Sequence, residues 1–183
     1  MIAKTSVFIA TSLDGFISRL DGSIDWLDRA NSLVPKSEDC GYAEFMASID
    51  VLVMGRNTFE LALTFGEWPY QATPVVVLSH RALDIPDTIA TSVSLSQESP
   101  SALVTRLSGQ GAKHLYIDGG KTIQSFLRAG LIDELTITII PVLIGTGRPL
   151  FGSVPYDVQL AHLSTKAYDF GFVQHRYRVV KDA

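Results

Sequence analysis

Three short runs of uninterrupted apolar residues constrain this chain most: Val51-Leu52-Val53-Met54, Val75-Val76-Val77-Leu78 and Leu115-Tyr116-Ile117. A strand that is apolar at every position is buried on both faces, the habit of parallel sheets covered by helices. Segments of helical spacing separate the runs. Tyr42, Phe45, Met46 and Ile49 fall at i, i+3, i+4 and i+7, and Ile123, Phe126 and Leu127 repeat the pattern. Phe59, Leu61, Ala62 and Phe65 suggest another helix, and Ser99-Pro100 offers an N-cap and first-turn proline for one reaching about Leu107. Further strands are expected at Ile2–Thr11, Thr88–Val93 and Glu134–Ile140. Two longer ones, near Val158–Thr165 and Phe172–Val180, meet at Asp169-Phe170-Gly171. Trp26 to Ser37 reads as polar and poorly periodic. The alternation implies α/β architecture, with a mostly parallel sheet and an antiparallel end. No repeat or linker interrupts it, so residues 1–183 read as one domain.

Composition narrows the class. A net charge of −4 gives no basic field for nucleic acid, and no aromatic-basic interleaving suggests one. The most apolar stretch, Ile137 to Ile144, holds Thr138 and Pro141 and falls short of a membrane span. The single cysteine, Cys40, excludes an internal disulfide and suits a reducing compartment, so a cytoplasmic location is expected. Cys40 adjoins an amphipathic helix and reads as a packing residue.

In open α/β sheets ligands bind beyond the carboxyl ends of the strands. Three such ends carry hydroxyls, cations or bare backbone: Gly55-Arg56-Asn57-Thr58, Ser79-His80-Arg81 and Gly119-Gly120-Lys121-Thr122. Free N–H groups at a helix start, approached past glycines, suit phosphate. The competing reading is a set of tight turns with ordinary caps; three together favour a nucleotide. An NAD site usually ends a strand in an acid for the ribose hydroxyls, whereas Ser79, His80 and Arg81 are donors suited to a 2′-phosphate. NADP is therefore favoured over NAD. No G-x-G-x-x-G, P-loop or G-x-S-x-G motif occurs, and the four histidines lack metal-ligand spacing, so no metal is expected.

Ile9-Ala10-Thr11-Ser12-Leu13-Asp14-Gly15-Phe16-Ile17, Val53 to Phe59, Val77-Leu78-Ser79 and Ile117-Asp118-Gly119-Gly120 resemble the dihydrofolate reductase fold in order and spacing. Leu131 to Leu135, Pro141 to Gly145 and Arg148 to Phe151 bring the resemblance closer to one bacterial branch. That branch is related to the C-terminal reductase domain of the riboflavin-biosynthesis deaminase-reductase; the deaminase half is missing. The resemblance implies a three-layer fold around a central sheet of about eight strands, with NADPH across its carboxyl edge. Carried over by position, Ala10 and Ile17 line the nicotinamide pocket, and Gly55, Arg56 and Thr58 hold phosphates. Leu78 and Ser79, with His80 and Arg81 nearby, take the adenosine 2′-phosphate end. Ile117, Gly119, Gly120, Lys121 and Thr122 take the pyrophosphate. Asp39 falls on the acid that binds the pterin ring and Thr138 on the threonine supporting it. Asp39 reads equally as a helix-terminal acid facing the dipole.

The expected activity is hydride transfer from NADPH to a small heterocyclic substrate, pterin-like or pyrimidine-like, or to a conjugated carbonyl. Two alternatives stand beside it: the 5-amino-6-(5-phosphoribosylamino)uracil reductase of riboflavin biosynthesis, for which Arg148 is the one basic candidate, and a protein that binds NADPH without turnover. The long C-terminal strands and the apolar stretch Pro141 to Ile144 lead to the expectation of a homodimer.

Overall fold

The computed structural model describes residues 1–181. Its strands are β1 (Lys4–Ser12), β2 (Phe16–Ser18), β3 (Val51–Gly55), β4 (Val75–Leu78), β5 (Val93–Ser96), β6 (His114–Asp118), β7 (Glu134–Ile140), β8 (Arg148–Pro149), β9 (Leu160–Ala167) and β10 (Val173–Val179). The helices are α1 (Asp25–Asn31), α2 (Tyr42–Ala47), α3 (Arg56–Ala62), α4 (Pro100–Gly109) and α5 (Gly120–Arg128), with a 3-10 turn at Leu63–Phe65. Eight strands form one sheet in the order β5-β4-β3-β6-β1-β7-β10-β9, and β2 pairs with β8 apart from it. All neighbours are parallel except where β10 runs against β7 and β9. This is the mostly parallel sheet with an antiparallel C-terminal part that the resemblance implies.

The apolar runs explain themselves once the layers are in place. In β3, Val51 and Val53 face α4 and α5, while Leu52 and Met54 face α2 and α3. In β6, Leu115 and Ile117 enter the first layer and Tyr116 the second. Both faces are dry, so alternation disappears from the sequence. Ile123 and Phe126 of α5 are fully buried, each contributing roughly 1.5–3 kcal/mol of apolar burial. Ser99 caps α4 by accepting the Ala102 N–H at 3.3 Å, with Pro100 in the first turn. Gly130, just past α5, takes φ +66°, as a helix-terminating glycine should.

Two segments differ from the sequence reading. Residues 86–92 turn instead of extending, through Ile89 N–H to Pro86 O and Ser92 N–H to Ile89 O, so the strand starts only at Val93. The polar segment after Ile24 contains α1, whose Trp26 is 3% exposed and packs against Ile140, Tyr168 and Phe172. One large side chain anchors a helix too short to show a period.

Candidate active site

β3 and β6 are neighbours in register, Met54 opposite Asp118, so their carboxyl ends deliver two helices side by side. α3 starts at Arg56 directly after Gly55, and α5 at Gly120 directly after Gly119. Both N-caps are glycines, so neither contributes a side-chain cap. Each helix carries a threonine in its first turn, and each threonine packs on the other helix's cap. A Cβ on Gly55 would lie 2.9 Å from Thr122 Oγ1, and one on Gly119 would overlap Thr58 Oγ1. Gly119 takes φ +86°, so the left-handed conformation falls there, while Gly120 opens the helix. A Cβ on Gly120 would meet Ile17 Cδ1 at 2.7 Å, which places the β2 side chain over the start of α5. Gly55, Thr58, Ile17, Gly119, Gly120 and Thr122 thus share one cradle, beside helix starts whose first-turn N–H groups lack intrahelical partners, a setting that suits an anion. Ile117 lies one layer below, fully buried, and Lys121 is exposed beside the cradle. Arg56 is committed through Nε to Glu60 at 2.6 Å, one turn along its own helix.

One strand further out, Leu78 pairs with Gly55 at the edge. Ser79 Oγ accepts the Arg81 N–H at 3.0 Å and donates to the Arg81 carbonyl at 2.9 Å, which fixes the turn. Ser79 therefore shapes this end, with the His80 and Arg81 side chains exposed beside it.

On the α2–α3 face the edge has a different chemistry. Asp118 is half-buried as a residue, but its carboxyl is enclosed, and desolvation raises its pKa to about 6 against the pull of the Gly119 N–H at 2.8 Å. Tyr42, Tyr70 and Tyr116 surround it. Burial first, and the Asp118 charge second, push the Tyr42 phenol up to about 12 and shift the other two the same way. Tyr116 donates to the Phe8 carbonyl at 2.7 Å. Trp68 stands edge-on to Phe59 and Tyr70, and its indole N–H is buried without an acceptor. Trp26 likewise holds a buried, unpaired N–H, in the cluster that includes Ala10, Val142 and Ile144. These aromatic residues carry neither the cations nor the bare backbone by which a strand end points to a phosphate. Asp118 was visible as the one acid ending a buried strand.

The expected pair of Asp39 and Thr138 does not form. Asp39 is exposed, and its carboxylate accepts the N–H groups of Ala43 at 2.8 Å and Gly41 at 2.9 Å, which hold its pKa below the usual carboxylate value. Cys40 and Gly41 both take positive φ, so the chain turns before α2 begins and leaves Asp39 outside the helix. Thr138 is buried opposite Ala10 on β1, and its hydroxyl accepts from Gln174 Nε2 at 3.0 Å. The same amide donates to the Cys40 carbonyl at 2.9 Å. Thr138 supports the Cys40 turn, and Cys40 itself packs beside Trp26.

The turn between β1 and β2 is tied to the loop after β7. Asp14 accepts N–H groups from Gly145 and Ile144 and the Ser12 hydroxyl, tying residues 12–16 to residues 142–146; the Ser12 bond is the main reason its pKa is lowered. A separate cleft of about 720 Å³ opens at the opposite edge between Thr5, Val104 and Val179, far from these groups. Among the described residues no cluster of His, Cys, Asp and Glu could hold a metal ion, and no helix is long and apolar enough to cross a membrane.

Comparison with known proteins agrees with this layout. The chain is 33% identical over 180 residues to the uncharacterised protein YwjB of Bacillus subtilis, covering 97% of this chain and 99% of that one. YyaP of the same organism, also uncharacterised, is 28% identical over 92% of this chain and 91% of its own. Among solved structures, a putative riboflavin biosynthesis protein from Shewanella sp. PV-4 superposes with a TM-score of 0.90 at 38% identity, over 99% of this chain and 100% of that one. A diaminohydroxyphosphoribosylaminopyrimidine deaminase/5-amino-6-(5-phosphoribosylamino)uracil reductase from Thermotoga maritima shares the fold, with a TM-score of 0.73 at 13% identity; the match covers 98% of this chain and 57% of that one. The model of the RibD C-terminal domain matches residues 3–173, and the chain belongs to that reductase family.

Proposed function

We propose that this chain is an NADPH-dependent reductase that acts on a small pyrimidine-like or pterin-like heterocycle. One observation carries the reading: two glycine-capped helix starts, interlocked through Thr58 and Thr122, stand beside an enclosed acid at the same sheet edge. A side chain at either cap would collide with the opposite helix's threonine and force the two helix starts apart. The residues fit the cofactor. Gly55, Gly119, Gly120 and Thr122 would hold the pyrophosphate, Arg81 and His80 the 2′-phosphate, and Ala10 and Ile17 would flank the nicotinamide. When bound, that cofactor supplies the hydride.

The protein's own contribution is position and electrostatics. Asp118 presents a carboxylate in an aromatic, water-poor surrounding, where it accepts ring N–H groups of a heterocycle strongly. With its pKa near 6, it changes charge close to neutrality at little cost. Arg148, the cation a ribosyl phosphate would need, donates Nε and Nη2 to the Leu20 carbonyl at 3.1 and 2.9 Å. That favours a heterocycle without a phosphoribosyl arm.

The test is NADPH oxidation by the purified protein against dihydropterins, aminopyrimidines and the phosphoribosylaminouracil. Consumption with a non-phosphorylated heterocycle supports the reading. Preference for the phosphoribosyl compound would return the chain to the riboflavin pathway, and binding of NADPH with no turnover on any of them would leave a sensor.

A further inference from the structure

An acid stands beside the adenosine end of the candidate cofactor site. β5 is the edge strand next to β4, with Ser96 opposite Leu78, and the Ser79 N–H donates to the Ser96 carbonyl at 3.0 Å. Two residues on, the Glu98 carboxylate accepts the Ser96 hydroxyl at 2.8 Å, and the Glu98 N–H donates back to Ser96 Oγ at 3.1 Å. Ser96 is buried, so these two bonds pin the acid to the end of β5. With strands ~4.8 Å apart, the carboxylate stands within about 10 Å of the Ser79 turn that carries His80 and Arg81. A bare carboxylate is the wrong group there for a 2′-phosphate. It repels the phosphate and accepts ribose hydroxyls, as the acid of an NAD site does.

Glu98 is not bare. Arg106, two turns along α4, closes on it: Nε lies 2.9 Å from Oε2 and 3.1 Å from Oε1, and Nη2 lies 2.8 Å from Oε2. Gln110 Oε1 accepts from Nη1 at 3.2 Å and holds the guanidinium from its other side. The guanidinium first, and the Ser96 hydroxyl second, keep the Glu98 carboxyl below its usual pKa, so the acid is ionised at neutral pH. Both side chains are about a third exposed, and an ion pair in that setting adds little stability. Its larger effect is on the field at the strand end. Asp84 and Asp87 follow Arg81 in a segment that Leu83 and Ile85 anchor on the face of α3, whereas Glu98 and Arg106 belong to α4 and its approach.

We propose that Arg106 is a specificity-determining residue that cancels the negative charge of Glu98 and so lets this end of the sheet take a 2′-phosphate. This role rests on the NADPH-binding reading above. Arg106 acts through Glu98 and not by contact with the cofactor, because its guanidinium is committed to Glu98 and Gln110.

Calorimetric titration of NADPH and NADH tests this without a substrate. Arg106→Gln bares Glu98 and should lower the ratio of NADPH to NADH affinity, on the order of threefold for a doubly charged phosphate about 10 Å away across a partly screened surface. That loss should shrink at high salt. Glu98→Gln releases the cation and should raise the ratio; if Arg106→Gln does not fold, this variant still reads the pair. The double variant is neutral again and should return the ratio to that of the unmutated protein. A pair with only a structural role would lower the thermal midpoint and leave the ratio where it was. An unmutated protein that binds neither dinucleotide removes the NADPH reading and this role with it. An NADPH preference that neither single variant moves, or a double variant that keeps the Arg106→Gln loss, overturns the role of Arg106 and leaves the NADPH reading standing.

Discussion

At the scale of single residues, Asp118 is the group on which the reading turns, and its titration gives a test with a definite sign. Its pKa in the folded chain is about 6 against 3.8 for an ordinary aspartate. The folded state therefore holds the proton more tightly, and stability falls as pH rises from about 4 to 6, then levels off. The two-unit difference corresponds to a penalty on the order of 2–3 kcal/mol at neutral pH. Asp118→Asn keeps the shape and removes that penalty, so its thermal midpoint should exceed that of the unmutated protein at pH 7.5 and lose the advantage near pH 4. Its turnover should fall, on the order of a hundredfold if the carboxylate assists catalysis. In the unmutated protein kcat/KM should decline below pH 6, and in the variant it should be flat. A variant that gained stability and kept its rate would make Asp118 a buried liability without a role. Asp39→Asn is the control: it weakens the turn into α2, lowers the midpoint slightly and leaves turnover unchanged, because its carboxylate faces backbone N–H groups in the open.

At the scale of elements, the interlock of α3 and α5 can be broken from either side. Gly119→Ala meets two obstacles, the positive φ and the Thr58 hydroxyl, and should cost about 1–3 kcal/mol of stability together with NADPH affinity. Adding Thr58→Ala removes the overlap but not the backbone strain, so the double variant should recover part of the stability in a urea titration. No recovery would mean that the two helices do not meet as described. These elements were legible in the sequence because their signals are local: uniform apolar runs, a capping serine before Pro100, glycines after strands. The substrate side was less legible for a physical reason. Asp118 owes its raised pKa to burial, and Tyr42 and Tyr70, whose phenols feel its charge, come from other parts of the chain, so only folding creates that environment. The place of Asp39 was not legible because a resemblance by position does not show the left-handed turn at Cys40 and Gly41 that leaves it outside the helix. Trp26 and β2 were hidden in segments too short for any period to show.

At the scale of the whole molecule, the candidate cofactor site runs along the edge from Ser79, just after β4, through Gly55 at the end of β3 to Gly119, just after β6, so a dinucleotide that binds there joins three strands and two helices. Binding to the folded state alone raises stability by about 2.7 kcal/mol when ligand is present at 100 times its Kd. For a chain of this length that is a rise of roughly 5–11 °C in Tm. NADPH should bind at least about tenfold more tightly than NADH, a difference of about 1.4 kcal/mol, if the exposed Arg81 and His80 take the 2′-phosphate as proposed, since no acid ends β4. At equal concentrations NADPH should therefore give the larger thermal shift, by roughly 3–6 °C. Arg81→Ala should bring the two shifts together without changing the Tm of the free protein, since the guanidinium is exposed. Equal shifts in the unmutated protein would take the 2′-phosphate away from this end of the sheet, while leaving the cradle between α3 and α5 available to either dinucleotide. The comparison needs no substrate, so it reads the cofactor half of the site separately from the chemistry at Asp118.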